Sequence, residues 1–281
     1  MSLRDLQWAR IEPLLPDRTP KRGGRWRDHR QVIDAIAFKY RTGTPWMDLP
    51  ERLGSWKGAH SRLRIWAIDG TWERVFVALL AQVDAEEDLD SGVAVDSTIV
   101  RAHQHAAGAR PQGAPAGEPA DHALGRSRGG PTTKIRLAAE GRCRPLAFVL
   151  TPGQAGDAPA FTQVMAAIRV TRPKGRPRTR PVVMLADKAY SSRAIREHLR
   201  KRRIRAVIPQ PADQIAHRRR LGSKGGRPPG FDREAYKQRN TVERCINKLK
   251  QWRGLATRYD KTATAYQAAP HLAAILIWAA R

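Results

Sequence analysis

Cysteine is nearly absent. Cys143 and Cys245 are the only two in 281 residues, and they stand far apart. Neither belongs to a CxxC pairing, which excludes a zinc knuckle or a redox motif, so both thiols read as reduced. An uninterrupted run of about 18 apolar residues is also missing, and the opening segment MSLRDLQWARIEP lacks the apolar centre of a signal peptide. The expectation is a soluble, cytoplasmic protein. Acidic residues are scarce: 26 Asp and Glu face 52 Lys and Arg, leaving a formal net charge of +26. Such a surplus repels itself unless a polyanion neutralises it, so nucleic acid is the expected partner. Charge alone fits a ribosomal or nucleoid protein as well as a DNA enzyme, and residue spacing has to separate them.

The chain is longer than a common single domain, which suggests one small and one medium unit. Residues 1 to about 83 read as helical. Leu3, Leu6, Ile11, Leu14 and Leu15 recur at helical spacing before Pro16, and Val32, Ile33, Ile36, Ala37 and Tyr40 do so before Gly43. TPWMDLP is a Pro-bounded turn, and two further helices run from Gly58 to Leu80, broken at Asp69-Gly70 in the manner of a helix-turn-helix. Six of the eight tryptophans (Trp8, Trp26, Trp46, Trp56, Trp66 and Trp72) fall here and are expected to build a small core. The acidic stretch from Asp84 to Asp90 then interrupts the basic chain. It sets the expected division into a helical DNA-binding domain over 1–88 and a second domain over 89–281.

Beyond that stretch the period changes from helical to alternating. GVAVDSTIV is β-branched, TKIRLAAEG and PLAFVLTPG read as two more strands, and PVVMLAD and IRAVIP read as buried ones, with the Arg-rich helix SSRAIREHLRKR between the last two. This order predicts an α/β domain with a mixed sheet covered by helices on both faces. Residues 106–131 and 217–230 lack apolar periodicity and are rich in Gly, Pro and Arg. They are expected to be mobile loops whose cations neutralise phosphates.

Three acids stand out. Asp96 follows Val93 and Val95 in an alternating strand and lies on the face opposite those valines, where it is either a strand-end turn residue or a metal ligand. Asp187 ends a buried run, at the C-terminal mouth where α/β sheets place ligands, and Ser191 or Ser192 fits the alternative job of helix cap better. Glu243 lies on a helix predicted from about Asp232 to Trp252, with Tyr236, Arg239 and Lys250 on one face within roughly 60° of arc. Ala235, Val242, Cys245, Ile246 and Leu249 form the apolar stripe beside them. Other candidates carry less. His103 and His105 make a poor zinc pair without a third ligand, His271 sits in an apolar helix as a core residue, and Asp157 fixes a turn after Gly156.

The spacing Y-x2-R-x3-E-x6-K over Tyr236, Arg239, Glu243 and Lys250 resembles the signature of DDE transposases of bacterial insertion sequences, in the branch related to insertion sequence five. The likeness extends through AVDSTIVRAHQHAAG, GRSRGGPTTKI, VLTPGQAGDAP, LADKAY, ERCINKLKQWR, RYDKTA and HLAAILIW, and in the first region through WARIEPLLP and RTGTPWMDLPE. It departs in the 106–131 stretch and the 171–181 linker, which bear on target preference rather than chemistry. The resemblance implies a ribonuclease-H-like fold with a five-stranded mixed sheet, with Asp96, Asp187 and Glu243 as catalytic acids and Tyr236, Arg239 and Lys250 as DNA contacts.

Three gathered carboxylates repel each other unless divalent cations neutralise them, and oxygen ligands favour Mg²⁺ or Mn²⁺ over zinc. The expectation is two ions about 3.5–4 Å apart, serving in-line displacement at phosphorus. The expected partners are double-stranded DNA, as element ends and as target, and a second copy of the chain, since two ends must be brought together. Two other readings compete: another ribonuclease-H-like nuclease such as a junction resolvase, and a repressor or inactive remnant that binds DNA without cutting it.

Overall fold

The apolar spacing of the first region is realised as four helices, α1 (Asp5–Ile11), α2 (His29–Thr42), α3 (Trp56–Ile68) and α4 (Thr71–Ala85). The structure is a computed structural model that describes residues 2–19, 26–109, 114–172 and 174–280. Asp28 starts α2 by accepting a hydrogen bond from the Gln31 N–H at 3.0 Å, and Gly43 ends it in the left-handed region at φ 75°. Asp69-Gly70 separates α3 from α4, with Gly70 again left-handed. Trp66 and Trp72 meet edge to face across that turn, their ring centres 5.0 Å apart, and both are buried. Trp8, Trp46 and Trp56 pack partly buried against the same core, and the Arg62 guanidinium stacks on Trp26 at 3.9 Å.

The strands are β1 (Gly92–Ala102), a short β2 (Gly125–Ser127), β3 (Gly130–Glu140), β4 (Arg144–Pro152), β5 (Val183–Ala186), β6 (Arg205–Val207) and a two-residue β7 (Thr257–Arg258). β3 pairs antiparallel with β1 and β4, while β5 and β6 run parallel to β1 on its other side, giving the order β4-β3-β1-β5-β6. The remaining helices are α5 (Gln104–Ala107), α6 (Asp157–Ala167), α7 (Arg193–Lys201), α8 (Ala212–Arg220), α9 (Arg233–Lys237), α10 (Asn240–Lys250), α11 (Arg253–Ala256) and α12 (Ala263–Trp278). Crossovers through α6 and α7 bring β5 and β6 in parallel, and this mixed sheet is ribonuclease-H-like.

Side chains alternate across the sheet, so the two faces can be told apart by their contacts. Ser97, Lys134 and Arg136 turn toward the start of α6. Asp96 turns toward α10, and Phe148 meets Phe76 of α4 at 6.1 Å and His271 of α12 at 5.8 Å. The buried apolar residues of the N-terminal helices, the sheet and α12 belong to one continuous cluster. The acidic stretch is fastened to later segments: Asp84 accepts from Arg172 and Arg178, both at 2.9 Å, and Asp88 accepts from Arg144 at 3.0 Å. No helix among the described residues is long and apolar enough to cross a membrane.

Three expectations need correction. The 217–230 stretch is not a loop throughout: α8 runs to Arg220 and a 3-10 turn spans Gly222–Gly225. No residue of α8 is buried, so it shows no apolar period, and its ends complement the helix dipole, with Asp213 first and His217 to Arg220 last. In the 106–131 stretch residues 110–113 lie outside the described residues, but Glu118 is tied to the start of α12. It accepts from the Thr264 N–H at 2.9 Å and pairs with buried His122 at 2.7 Å. Such polar anchoring leaves no periodic trace. The helix predicted from Asp232 to Trp252 is broken by a turn at Gln238 and Arg239 into α9 and α10.

Candidate active site

The β1/β5 register pairs Val95 with Ala186, so Asp96 within β1 and Asp187 just past the end of β5 stand side by side. Asp187 accepts from the Ala189 N–H at 2.8 Å and caps the 3-10 turn Lys188–Tyr190. Ser192 does the capping of α7, accepting from Ile195 N–H at 3.2 Å, which leaves Asp187 at the strand mouth. Asp96 accepts from the Ser97 N–H at 2.8 Å through Oδ1 and from Arg239 Nη2 at 2.9 Å through Oδ2. The other arm of that guanidinium, Nη1, donates to Glu243 Oε1 at 2.7 Å. One arginine thus spans two of the three acids, and the turn between α9 and α10 is where it reaches them.

The electrostatics fit a place where negative charge is crowded. Burial holds the Asp96 carboxyl above the usual range, with Asp187 and Glu243 adding to it, although the Ser97 N–H and Arg239 act against it. Burial works against the Arg239 charge, yet Asp96, Tyr236 and Glu243 outweigh it and hold the guanidinium above its ordinary value. Tyr236 packs on Phe231 with ring centres 5.2 Å apart; burial raises its phenol, which feels Arg239 and all three acids. Lys250, the last residue of α10, donates to the Ile99 carbonyl of β1 at 3.2 Å. Five of the six residues picked from the sequence therefore share one electrostatic neighbourhood, and Lys250 flanks it along β1.

Among the described residues no three His, Cys, Asp or Glu side chains converge closely enough to hold one ion. Between Asp96 and Glu243 the Arg239 guanidinium takes the cationic place. The donor set nonetheless fits a hard divalent cation, since it is all oxygen and its surplus negative charge already recruits a cation from within the chain. His103 and His105 stack on each other at 4.8 Å, and His103 also lies 4.9 Å from Tyr259. Burial pushes His271 down to about 4, so it is a neutral core residue beside Phe76 and Phe148.

Sequence reasoning missed the second layer behind Asp96. Asp157, read as a turn residue, is the first residue of α6, and its Oδ1 accepts from Ser97 Oγ at 2.9 Å, Arg136 Nη1 at 2.7 Å and Lys134 Nζ at 3.2 Å. The signal was present in β3: Lys134 and Arg136 alternate with Ile135 and Leu137, and two cations on one face of a buried strand require an anion. Burial alone would raise the Asp157 carboxyl, but the bonds from Ser97, Arg136 and Lys134 outweigh it and hold it below its ordinary value. A depressed folded-state value stabilises the fold above the unfolded aspartate range and loses that contribution as pH falls through the folded value. Unfolding free energy is therefore expected to decline from about pH 4 downward, and Asp157→Asn should flatten that decline in urea titrations across acid pH. An unchanged slope would mean that the carboxylate is not coupled to folding.

A ribonuclease-H-like sheet with one acid on its first strand, another just past a neighbouring parallel strand and a third on a helix beside them defines a class of enzymes that act on nucleic-acid phosphodiesters. A family model described as "Transposase DDE domain" matches residues 87–278, and one described as "Putative transposase of IS4/5 family" matches residues 3–76. The chain belongs to the DDE transposases of IS4/5-type insertion sequences. It is 31% identical over 147 residues to the "Putative transposase for insertion sequence element IS6501" of Brucella ovis, covering 52% of this chain and 98% of that one. It is 39% identical over 105 residues to a 16.2 kDa protein of insertion element IS402 from Burkholderia cepacia, covering 35% of this chain and 71% of the relative. Among solved structures, a Mos1 transposase paired-end complex with left transposon end overlaps 83% of this chain and 82% of its own, at 15% identity and a TM-score of 0.27. At that score the overlap positions no residue. The enzyme is a transposase, which cleaves DNA strands and transfers them.

Proposed function

We propose that Asp96, Asp187 and Glu243 are the catalytic acids of this transposase, that they work with divalent cations, Mg²⁺ or Mn²⁺, and that the substrate is the ends of the enzyme's own insertion sequence. The observation that carries this reading is the Arg239 bridge between Asp96 and Glu243 beside Asp187. Asp96, Asp187 and Glu243 would hold the divalent cations, which would supply Lewis acidity and charge neutralisation at the phosphorus. The Ser97 N–H holds Asp96 Oδ1 and the Ala189 N–H holds Asp187 Oδ1, so one oxygen of each carboxylate is fixed, and Arg239 must give way on Asp96 Oδ2 for a cation to bind there. Arg239, Tyr236 and Lys250 grip phosphates flanking the scissile bond, mostly without reading sequence.

In the first displacement water attacks phosphorus and the P–O3′ bond breaks; the water gives up a proton, the departing 3′-oxygen takes one up, and the products are a 3′-hydroxyl on the element end and a 5′-phosphate on the flanking strand. That hydroxyl then attacks a target phosphodiester and displaces a 3′-oxygen there. One site serves both steps because only the nucleophile changes. Helices within residues 1–88 supply the base reading, and at least two copies assemble on DNA to hold two ends. The test is cleavage of a labelled duplex carrying the inverted repeat that flanks the gene, with Mg²⁺, Mn²⁺ or chelator. Nicking at the element boundary that chelator abolishes is the expected result, whereas tight binding without cleavage under any metal condition would favour a DNA-binding remnant.

A further inference from the structure

A second cationic site lies beside the acids, built from segments that the site above does not use. β6 runs parallel to β5, Leu185 opposite Val207, so the chain leaving β6 emerges at the same end of the strands as Asp187, where α7 packs beside α6 on the face opposite the one Asp96 presents to α10. There α7, α8 and the turn after α8 enclose an open pocket of about 550 Å³. Arg193, Arg196, Arg200, Arg218 and Arg227 line it against a single carboxylate, Glu197. The floor is built rather than accidental. Arg196 donates to Ser191 Oγ and to the Ile208 carbonyl, both at 2.8 Å, and Ser191 in turn donates to Gln214 Oε1 at 3.0 Å. Gly225 lets the turn close, because a Cβ there would fall 2.2 Å from the Arg218 carbonyl oxygen.

What the pocket offers a ligand is almost entirely donors. Gln214 Oε1 is engaged by Ser191 and Gln210 Oε1 by Arg218, so the amide NH₂ ends are left to face a guest. The Arg196 Nε is screened from water and has no hydrogen-bond partner. Arg227 has no ion-pair or hydrogen-bond partner among the described residues, and Arg200 only approaches Glu197 at 3.9 Å. A guest must therefore be an acceptor with several negative oxygens, for which planar guanidinium forks are suited. From β1 to β6 is two strand spacings of about 4.8 Å, close to three nucleotide rises of about 3.4 Å, so one DNA strand can reach both places.

We propose that this arginine pocket binds a backbone phosphate of the DNA strand that crosses the catalytic acids, a few nucleotides from the scissile bond. The proposal rests on the transposase reading for its substrate, but its test does not depend on cleavage. Binding of the full-length protein to a labelled duplex is measured across a salt series for wild type, for the pair Arg200→Ala with Arg227→Ala, and for the charge-keeping pair Arg200→Lys with Arg227→Lys. The alanine pair is expected to lower the slope of log affinity against log salt by about one and to weaken binding about tenfold, with the lysine pair near wild type in slope. Thermal unfolding of all three should coincide, since both arginines are exposed.

An unchanged slope in the alanine pair overturns the proposal. If light scattering shows that this pair has instead lost self-association, the pocket's guest is an acidic segment of a second copy, which equally overturns it. A reduced slope in a protein that never cuts DNA upholds the pocket and removes the catalytic reading alone.

Discussion

Asparagine in place of Asp96 is expected to reduce strand cleavage by at least about 10²–10³-fold, the scale on which one preorganised electrostatic contact acts at a reacting centre. The substitution keeps the side chain's size and leaves an oxygen to accept the Ser97 N–H, so folding should be spared. What disappears is the charge that Arg239 answers and that, with Asp187 and Glu243, would attract divalent cations. DNA affinity, measured by gel shift, should hold or tighten because a negative charge has been removed near the phosphates. Glu243→Gln should behave in the same way, and the double variant should fall little further, since groups acting as one unit do not add. Cleavage by Asp96→Asn within about tenfold of wild type, a change of only about 1.4 kcal/mol in barrier, would remove Asp96 from the machinery.

The largest effect on stability is expected at Arg136. This guanidinium is fully buried in β3 and makes four contacts: Nε to Thr151 Oγ1 at 3.0 Å, Nη1 to Asp157 at 2.7 Å, and Nη2 to the Ala155 and Gly156 carbonyls at 2.9 and 2.7 Å. Arg136→Ala strands those acceptors and leaves Asp157 with Ser97 and Lys134 alone. Breaking a fully buried pair from one side costs about 3–5 kcal/mol, and the 29% exposure of the Asp157 side chain places this one at the lower end. In a chain of this size that corresponds to a fall in Tm of roughly 10 °C, and to a lower urea midpoint at similar m. Arg136→Lys should recover only part, because an ammonium cannot reproduce the fork. A loss below about 1 kcal/mol would mean that the network adds nothing beyond an exposed ion pair.

The strands and the acids were legible because both leave periodic or positional marks. Val93, Val95 and the run ending at Ala186 announced two strands, and the carboxylate that follows each apolar run, Asp96 within its strand and Asp187 after its own, is conspicuous against such sequence. Glu243 was legible through the stripe of Val242, Cys245, Ile246 and Leu249, all of which are buried. What the residues alone did not disclose was contact across long separations. That Arg239 lies at a break between two helices, or that Asp157 answers cations on β3, depends on how elements pack, and no local period encodes it. α8 went unread for the opposite reason: it packs too little to show a stripe.

The apolar cluster shared by α4, β4 and α12 has a mechanical consequence. Phe76 and His271 meet the ring of Phe148 from two ends of the chain, so the N-terminal helices and the sheet are built on one shared core. The interval between the outer surface of α3 and the carboxylate of Asp96 is then spanned by packed side chains, with no linker between them. On the proposed reading, the number of base pairs separating the sequence gripped from the bond cut would be a dimension of the packed core, and changing it would mean recasting that core rather than lengthening a tether.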